Sequence, residues 1–117
     1  MKLDDEAEAW EIDDAEERQR NAPDLYSIPA VAERVDVQVG ERVELYFLFR
    51  GRDRHGIYIQ SERLRVTVRV ASSSAYVGTL DESPGSSTLL QKGVSVSFEP
   101  RHIAAIYWDP GAKLSER

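Results

Sequence analysis

Three segments of this chain carry an apolar residue at every second position, and that period constrains the fold more than any other feature. The segments are residues 43–49, 64–70 and 94–98. Successive side chains of a strand point to opposite faces, so each segment buries one face and exposes the other to water. The sequence therefore predicts a small, mainly β domain built on an antiparallel sheet.

Proline, glycine and serine residues between these segments divide the chain into short elements. We predict strands over residues 41–49, 57–59, 62–71, 76–80, 94–98 and 103–108, a helical turn over 27–34, a polar mobile loop over 50–56 and a 3₁₀ turn over 100–102. About five short strands, with such a turn before the last one, are typical of an SH3-like or related small antiparallel barrel. We expect that fold here.

The first 24 residues form an acidic segment that differs from the rest of the chain. Ten carboxylates stand against three cations in this segment, whereas residues 25–117 sum to about +1. Acids in its first half, with Arg18 and Arg20 near its end, favour a helix over residues 3–21 that Pro23 terminates. We predict an acidic helix or partly disordered segment over 1–24, a β-barrel domain over 25–109 and a disordered tail over 110–117.

The composition excludes several classes of protein. The chain has no cysteine, which rules out disulfides, thiolate nucleophiles and cysteine-ligated zinc. Its N-terminus is acidic where a signal peptide would be basic and then apolar. The longest apolar run, residues 45–49, is far shorter than a membrane span. These features predict a cytoplasmic protein that does not associate with a membrane.

Residues suited to catalysis or metal binding are few. The two histidines, His55 and His102, lie on separate elements, and no serine stands in a Gly-x-Ser-x-Gly context. No glycine-rich phosphate loop precedes a helix. We therefore predict no enzyme activity, no metal and no cofactor. A minor hydrolase using His102 and Asp81 is the alternative.

Arginine is the residue type that points most clearly to function. If Leu64, Val66, Val68 and Val70 face the core, the arginines that alternate with them share the outer face of the same strand. Residues 50–69 carry six arginines against two carboxylates. We predict a partner-binding surface made of Arg50, Arg52, Arg54, Arg63, Arg65, Arg69, Tyr46 and Trp108. Trp108 either anchors a partner or plugs the end of the barrel.

This surface allows four interpretations. It pairs with a protein partner through electrostatically steered association, or it binds the phosphate backbone of nucleic acid. Exposed strand arginines also pair commonly with glutamates on neighbouring strands, which here are Glu44 and Glu62. In the fourth interpretation, the acidic segment over 1–24 lies on the arginines and masks them.

Five blocks of the sequence, in this order, resemble a family of small bacterial domains that has no established activity. The blocks are residues 26–29 (YSIP), 39–45 (VGERVEL), 62–68 (ERLRVTV), 76–84 (YVGTLDESP) and 98–103 (FEPRHI). Arg65 stands where the family usually has a tryptophan, and Glu82 where it has an asparagine. The resemblance implies a bacterial origin and a compact β-rich fold.

Taken together, these features favour a non-catalytic binding module that engages a protein partner, with a role like that of an immunity protein or a regulator. A nucleic-acid-associated barrel that uses the arginine strand is the runner-up. We expect a monomer or a weak homodimer.

Overall fold

The computed structural model describes residues 9–107, which form six strands, two short α-helices and one 3₁₀ turn. The elements are β1 (Ala9–Ile12), α1 (Ala15–Asn21), α2 (Val31–Arg34), β2 (Arg42–Asp53), β3 (Gly56–Ala71), β4 (Tyr76–Leu80), β5 (Ser95–Phe98), the 3₁₀ turn (Pro100–His102) and β6 (Ile103–Tyr107). No helix among these residues is long and apolar enough to cross a membrane.

The strands form one antiparallel sheet that curls into a half-barrel. β2, β3, β4 and β5 pair in chain order. β1 and β6 both lie along the other edge of β2, β1 opposite residues 47–50 and β6 opposite residues 42–45. The six strands therefore make a sheet that is five strands wide, which confirms the prediction of a mainly β fold.

The buried face of the sheet is the one that the alternation predicts. Its core comprises Val43, Leu45, Phe47, Phe49, Leu64, Val66, Val68, Tyr76, Leu80, Val96 and Phe98, among others. The prediction fails at Val70, which is 57% exposed. A register shift between Val68 and Val70 turns this side chain out of the core, and such bulges cannot be read from the period.

The prediction of a single helix over residues 3–21 is wrong, because Ala9–Ile12 forms strand β1 and α1 begins only at Ala15. Trp10 and Ile12 lie opposite Phe49 and Phe47 on the core side of β2. Packing of Ile12 against the core and of the Trp10 ring against Phe47 outweighs the helical preference of the acidic residues around them. Residues 3–8 lie outside the part of the chain that the structure describes.

The predicted loop over residues 50–56 is instead an extension of the sheet. β2 continues to Asp53 and β3 starts at Gly56, so residues 50–60 form a hairpin arm with a tight turn. Gly56 has a φ of +121°, and the Asp53 carboxylate accepts a hydrogen bond from the His55 backbone N–H. The separate strand predicted over 57–59 is part of β3.

Arg34 fastens the N-terminal part of the chain to the sheet. Its guanidinium is buried and donates to the Pro29 carbonyl at 2.8 Å, the Glu16 carboxylate at 2.6 Å and the Pro100 carbonyl at 3.2 Å. α1, the segment before α2 and the 3₁₀ turn thus meet on one side chain. Tyr76 of β4 holds the next residues, because its hydroxyl donates to the Arg34 carbonyl.

Candidate binding surfaces

Strands β2 and β3 present the predicted arginines on the outer face of the sheet. Arg63 lies directly opposite Tyr46, and Arg65 directly opposite Glu44. Residues that face each other across a strand pair have their side chains on the same side. The register therefore places Arg63 and Arg65 away from the core, as the alternation predicts.

Tyr46 lies beneath the N-terminal segment, which leaves it 7% exposed. The Arg18 guanidinium stands 4.1 Å from the centroid of its ring, and that of Arg63 stands 5.2 Å away. Tyr26 packs edge-on against the same ring. Arg63 also forms an ion pair with Glu44. These contacts stabilise the fold and leave little of the Tyr46 ring for a partner.

The six predicted arginines do not form one continuous patch. Arg50 and Arg52 lie opposite Ile59 and Ile57 in the hairpin arm, and Arg54 lies in its turn. The ten residues of β2 that separate Arg52 from Arg42 span about 33 Å at the usual rise of a strand. Arg65 and Arg69 thus belong to a different end of the sheet. Trp108 lies outside the described residues.

The acidic N-terminal segment pairs with a different set of arginines. Asp13 binds Arg18 at 2.6 Å, and Arg34 binds Glu16 at 2.6 Å. A third ion pair joins Asp14 to Arg101 at 2.9 Å. None of these three arginines is in the predicted surface. The segment covers the outer face at Tyr46 while its described carboxylates hold Arg18, Arg34 and Arg101.

At the β4 end of the outer face, polar side chains surround an open groove of about 590 Å³. We call it the arginine groove. It is lined by Gly40, Arg42, Arg65, Thr67, Arg69, Asp81, Glu82 and Lys92. Only Arg65 and Arg69 of this set are in the predicted surface. Arg42 and Lys92 are missed because pairing across the sheet brings Arg42 opposite Thr67, and the loop after β4 brings Lys92 to the same groove.

Contacts within the groove wall hold its two carboxylates. The hydroxyl oxygen of Thr67 lies 2.7 and 2.9 Å from the two carboxylate oxygens of Asp81. Arg42 Nε lies 3.9 Å from Asp81. Glu82 accepts a hydrogen bond of 2.9 Å from the Arg65 backbone N–H. Both acids therefore already have partners in the wall of the groove.

Three groove cations have no carboxylate partner in the part of the chain that the structure describes. Among residues 9–107, no ion pair joins Arg65, Arg69 or Lys92 to an acid. Arg65 packs over the ring of Tyr107, with 4.4 Å between its guanidinium carbon and the ring centroid. Arg69 donates from Nε to the Thr79 hydroxyl at 3.2 Å. Two of these cations, Arg65 and Arg69, are thus oriented by contacts, and no acid among residues 9–107 neutralises any of the three.

The hairpin arm presents a second surface, along the edge of β3 that faces away from β2. The backbone of Arg65 shows which residues face outward, because its carbonyl accepts from Asp81 and its N–H donates to Glu82. Hydrogen-bonding direction alternates along a strand, so Ile57, Ile59 and Ser61 direct their N–H and C=O groups outward too. In the described part of the chain, no strand pairs with β3 before Val66, apart from β2.

Apolar side chains accompany this open edge, which we define as residues 57–61. Ile59 is 67% exposed, Ile57 is 50% exposed and Tyr58 is 38% exposed. The segment contains no charge, proline or glycine. The sequence predicts a short strand over 57–59, but not that this strand continues β3 as one arm of a hairpin, because the glycines and charges of residues 50–56 suggest a loop.

The residues of the hydrolase alternative have different surroundings. His102 is buried in the 3₁₀ turn, where its Nδ1 accepts a hydrogen bond from the Glu99 backbone N–H at 2.9 Å. Burial, followed by the nearby charge of Arg101, lowers the pKa of His102. Asp81 binds Thr67 at the arginine groove instead. Within residues 9–107, no three His, Asp or Glu side chains are placed to hold a metal ion.

His55 lies in the exposed turn of the hairpin arm. The two histidines therefore belong to different parts of the fold, one in a surface turn and one in a buried turn.

Compared with known proteins, the chain matches no family model, no curated protein and no solved structure.

Proposed function

We propose that this protein is a non-catalytic binding module for a protein partner, and that an extended segment of the partner adds a strand to the open edge of β3. The observation that carries the proposal is the row of outward backbone groups at Ile57, Ile59 and Ser61. Strand addition satisfies such groups through main-chain hydrogen bonds, while side chains on alternate positions select the partner.

The side chains of the edge support this mode of binding. Exposed edge strands are normally protected by charge, proline, a bulge or a covering element, because an unprotected edge pairs with other chains. The open edge of β3 has no charge or proline of its own, and its bulge lies further along the strand, after Val68. A partner strand with apolar side chains opposite Ile57 and Ile59 would bury both isoleucines.

Strand order supports a finer description of the fold as SH3-like. β2 to β5 form a meander, the 3₁₀ turn follows, and β6 returns to pair with β2. In this proposal the chain belongs with the small bacterial domains that its sequence resembles, and its role is like that of an immunity protein or a regulator. The nucleic-acid alternative has weaker support, because Tyr46 is covered and the arginines are divided.

Selection from a displayed library of random peptides, with the full chain as bait, tests the proposal. Selected peptides should bind in an extended form and protect the amides of Ile57, Ile59 and Ser61 from hydrogen exchange. Ile59→Lys should weaken binding at least tenfold, because it places a charge on the paired edge. Val70→Lys, at another exposed apolar position of the same strand, should leave binding unchanged.

Two results would contradict the proposal. Peptides that bind with equal affinity to Ile59→Lys and to the unchanged protein would locate the site elsewhere. Selection of helical peptides, or protection confined to amides outside the hairpin arm, would exclude strand addition.

A further inference from the structure

We propose that the arginine groove is a separate binding site for a phosphomonoester, a phosphate group that carries close to two negative charges at neutral pH. This site lies at the β4 end of the outer face, apart from the open edge of β3, and does not depend on the protein-binding function proposed above. Three steps support the proposal: the charge of the groove, the orientation of its arginines and the surroundings that limit the size of the ligand.

The charge of the groove matches a dianion. Four cations and two carboxylates line it, which leaves a net charge of +2. A phosphomonoester carries about −1.5 to −2 at pH 7, so a single group neutralises the excess. A phosphodiester or a single carboxylate carries only one negative charge. Because Thr67 and the Arg65 backbone already bind Asp81 and Glu82, these acids do not have to be displaced before the ligand binds.

Two arginines are oriented before any ligand arrives. The guanidinium of Arg65 lies over the Tyr107 ring, and Arg69 is held through Nε by the Thr79 hydroxyl. Both contacts leave the terminal guanidinium nitrogens without a partner among residues 9–107. The planar guanidinium fork matches the oxygens of phosphate, and orientation in advance lowers the entropic cost of binding. Lys92 adds a compact positive charge to the same groove.

The surroundings favour a small ligand over a polymer. The volume of about 590 Å³ falls in the range of small-molecule sites. Further along the outer face, Glu44 neutralises Arg63, and the acidic N-terminal segment covers Tyr46. A nucleic acid that ran from the groove across this face would meet arginines that already pair with carboxylates, and a covered tyrosine ring. The groove therefore suits a ligand that ends there.

Calorimetric and NMR titrations of the full chain at low ionic strength test this inference. The probes are 5′-adenosine monophosphate, its cyclic 3′,5′-phosphodiester, O-phosphoserine and inorganic phosphate. We expect the monoester to bind at least tenfold more tightly than the cyclic diester, with shifts at the amides of Arg65, Thr67 and Arg69. Equal affinity for the nucleotide and O-phosphoserine means that the phosphate alone is recognised, and a preference for one identifies the source of the group.

Variants locate the site. Arg65→Gln and Arg69→Gln should each weaken binding of the monoester at least fivefold. Arg54→Gln, in the turn of the hairpin arm, is the matched control and should leave affinity unchanged. Ile59→Lys should also leave it unchanged, which separates this site from the open edge. Binding should weaken between pH 7 and pH 5, because the ligand takes up a proton near pH 6.

Three outcomes would overturn the inference. Equal affinity for the monoester and the cyclic diester would show that the second charge is not recognised. Unchanged binding in both arginine variants would place the ligand outside the groove. Tighter binding of a single-stranded oligonucleotide than of the monoester, lost in Arg65→Gln, would assign the groove to nucleic acid.

Discussion

Removing the hydroxyl of Tyr76 tests the anchoring of the N-terminal part of the chain to the sheet. This side chain is 1% exposed, and its hydroxyl donates to the Arg34 carbonyl at 2.7 Å and accepts from the Val37 backbone N–H at 3.3 Å. Tyr76→Phe keeps the ring in the core and leaves both backbone groups buried without this partner. Burial of the hydroxyl also raises the pKa of Tyr76.

The expected cost follows from the two lost hydrogen bonds. Each contributes about 1 kcal/mol, and a buried group left unsatisfied adds to the cost, so we expect a loss of about 2–3 kcal/mol in the free energy of unfolding. With an unfolding entropy of about 2.1 cal/mol/K per residue, that loss corresponds to a fall in Tm of about 8–12 °C for a chain of this length.

Urea denaturation followed by circular dichroism measures this loss, with an unchanged m-value as the sign that both states keep their compactness. Tyr58→Phe is the matched control, because Tyr58 is 38% exposed and its loss should stay within about 0.5 kcal/mol. A loss below about 0.5 kcal/mol for Tyr76→Phe would refute the anchoring role of the hydroxyl.

Three further predictions concern stability. Gly78→Ala should destabilise the fold by about 1–3 kcal/mol in urea denaturation, because the added Cβ would lie 2.3 Å from Val66 Cγ1 and 2.8 Å from the Thr67 carbonyl oxygen. A smaller loss of stability would mean that β3 and β4 move apart easily enough to accommodate the added Cβ. Arg34→Met should lower the free energy of unfolding by about 3 kcal/mol in thermal denaturation, since it leaves the Pro29 and Pro100 carbonyls without their donor. An unchanged free energy of unfolding would exclude this side chain as an anchor. Finally, the folded pKa of His102 is lowered, so the unfolded chain takes up a proton first, and stability should fall as the pH drops below about 6.5. His102→Asn, which keeps an acceptor for the Glu99 N–H, should flatten the stability profile in this range, and an unchanged profile would contradict the assignment.

Elements with a simple period and local turn signals could be predicted from the sequence. The core positions of β2 and the first half of β3 follow from apolar residues at every second position, and the 3₁₀ turn follows from Pro100. Their structure depends on interactions between near neighbours and on burial of one face. Such interactions are visible in a single sequence.

Features that depend on pairing between distant segments could not be predicted. β1 exists because Trp10 and Ile12 meet Phe49 and Phe47, about 35 residues away along the chain. The arginine groove depends on the register between β2, β3 and the segments that follow β4, which no local pattern contains. The sequence predicts a strand over 57–59 but not its pairing with residues 50–52, because glycines and charges in the hairpin arm resemble those of a loop.

Hydrogen–deuterium exchange of individual amides along β3, measured by NMR on the free full-length protein, tests the open edge most directly. Tyr58 and Gln60 direct their backbone groups toward β2, whereas Ile57, Ile59 and Ser61 direct theirs outward. We expect protection to alternate, slow at 58 and 60 and at least a hundredfold faster at 57, 59 and 61. Slow exchange at all five amides would mean that another segment already occupies this edge, and strand addition by a partner would be excluded.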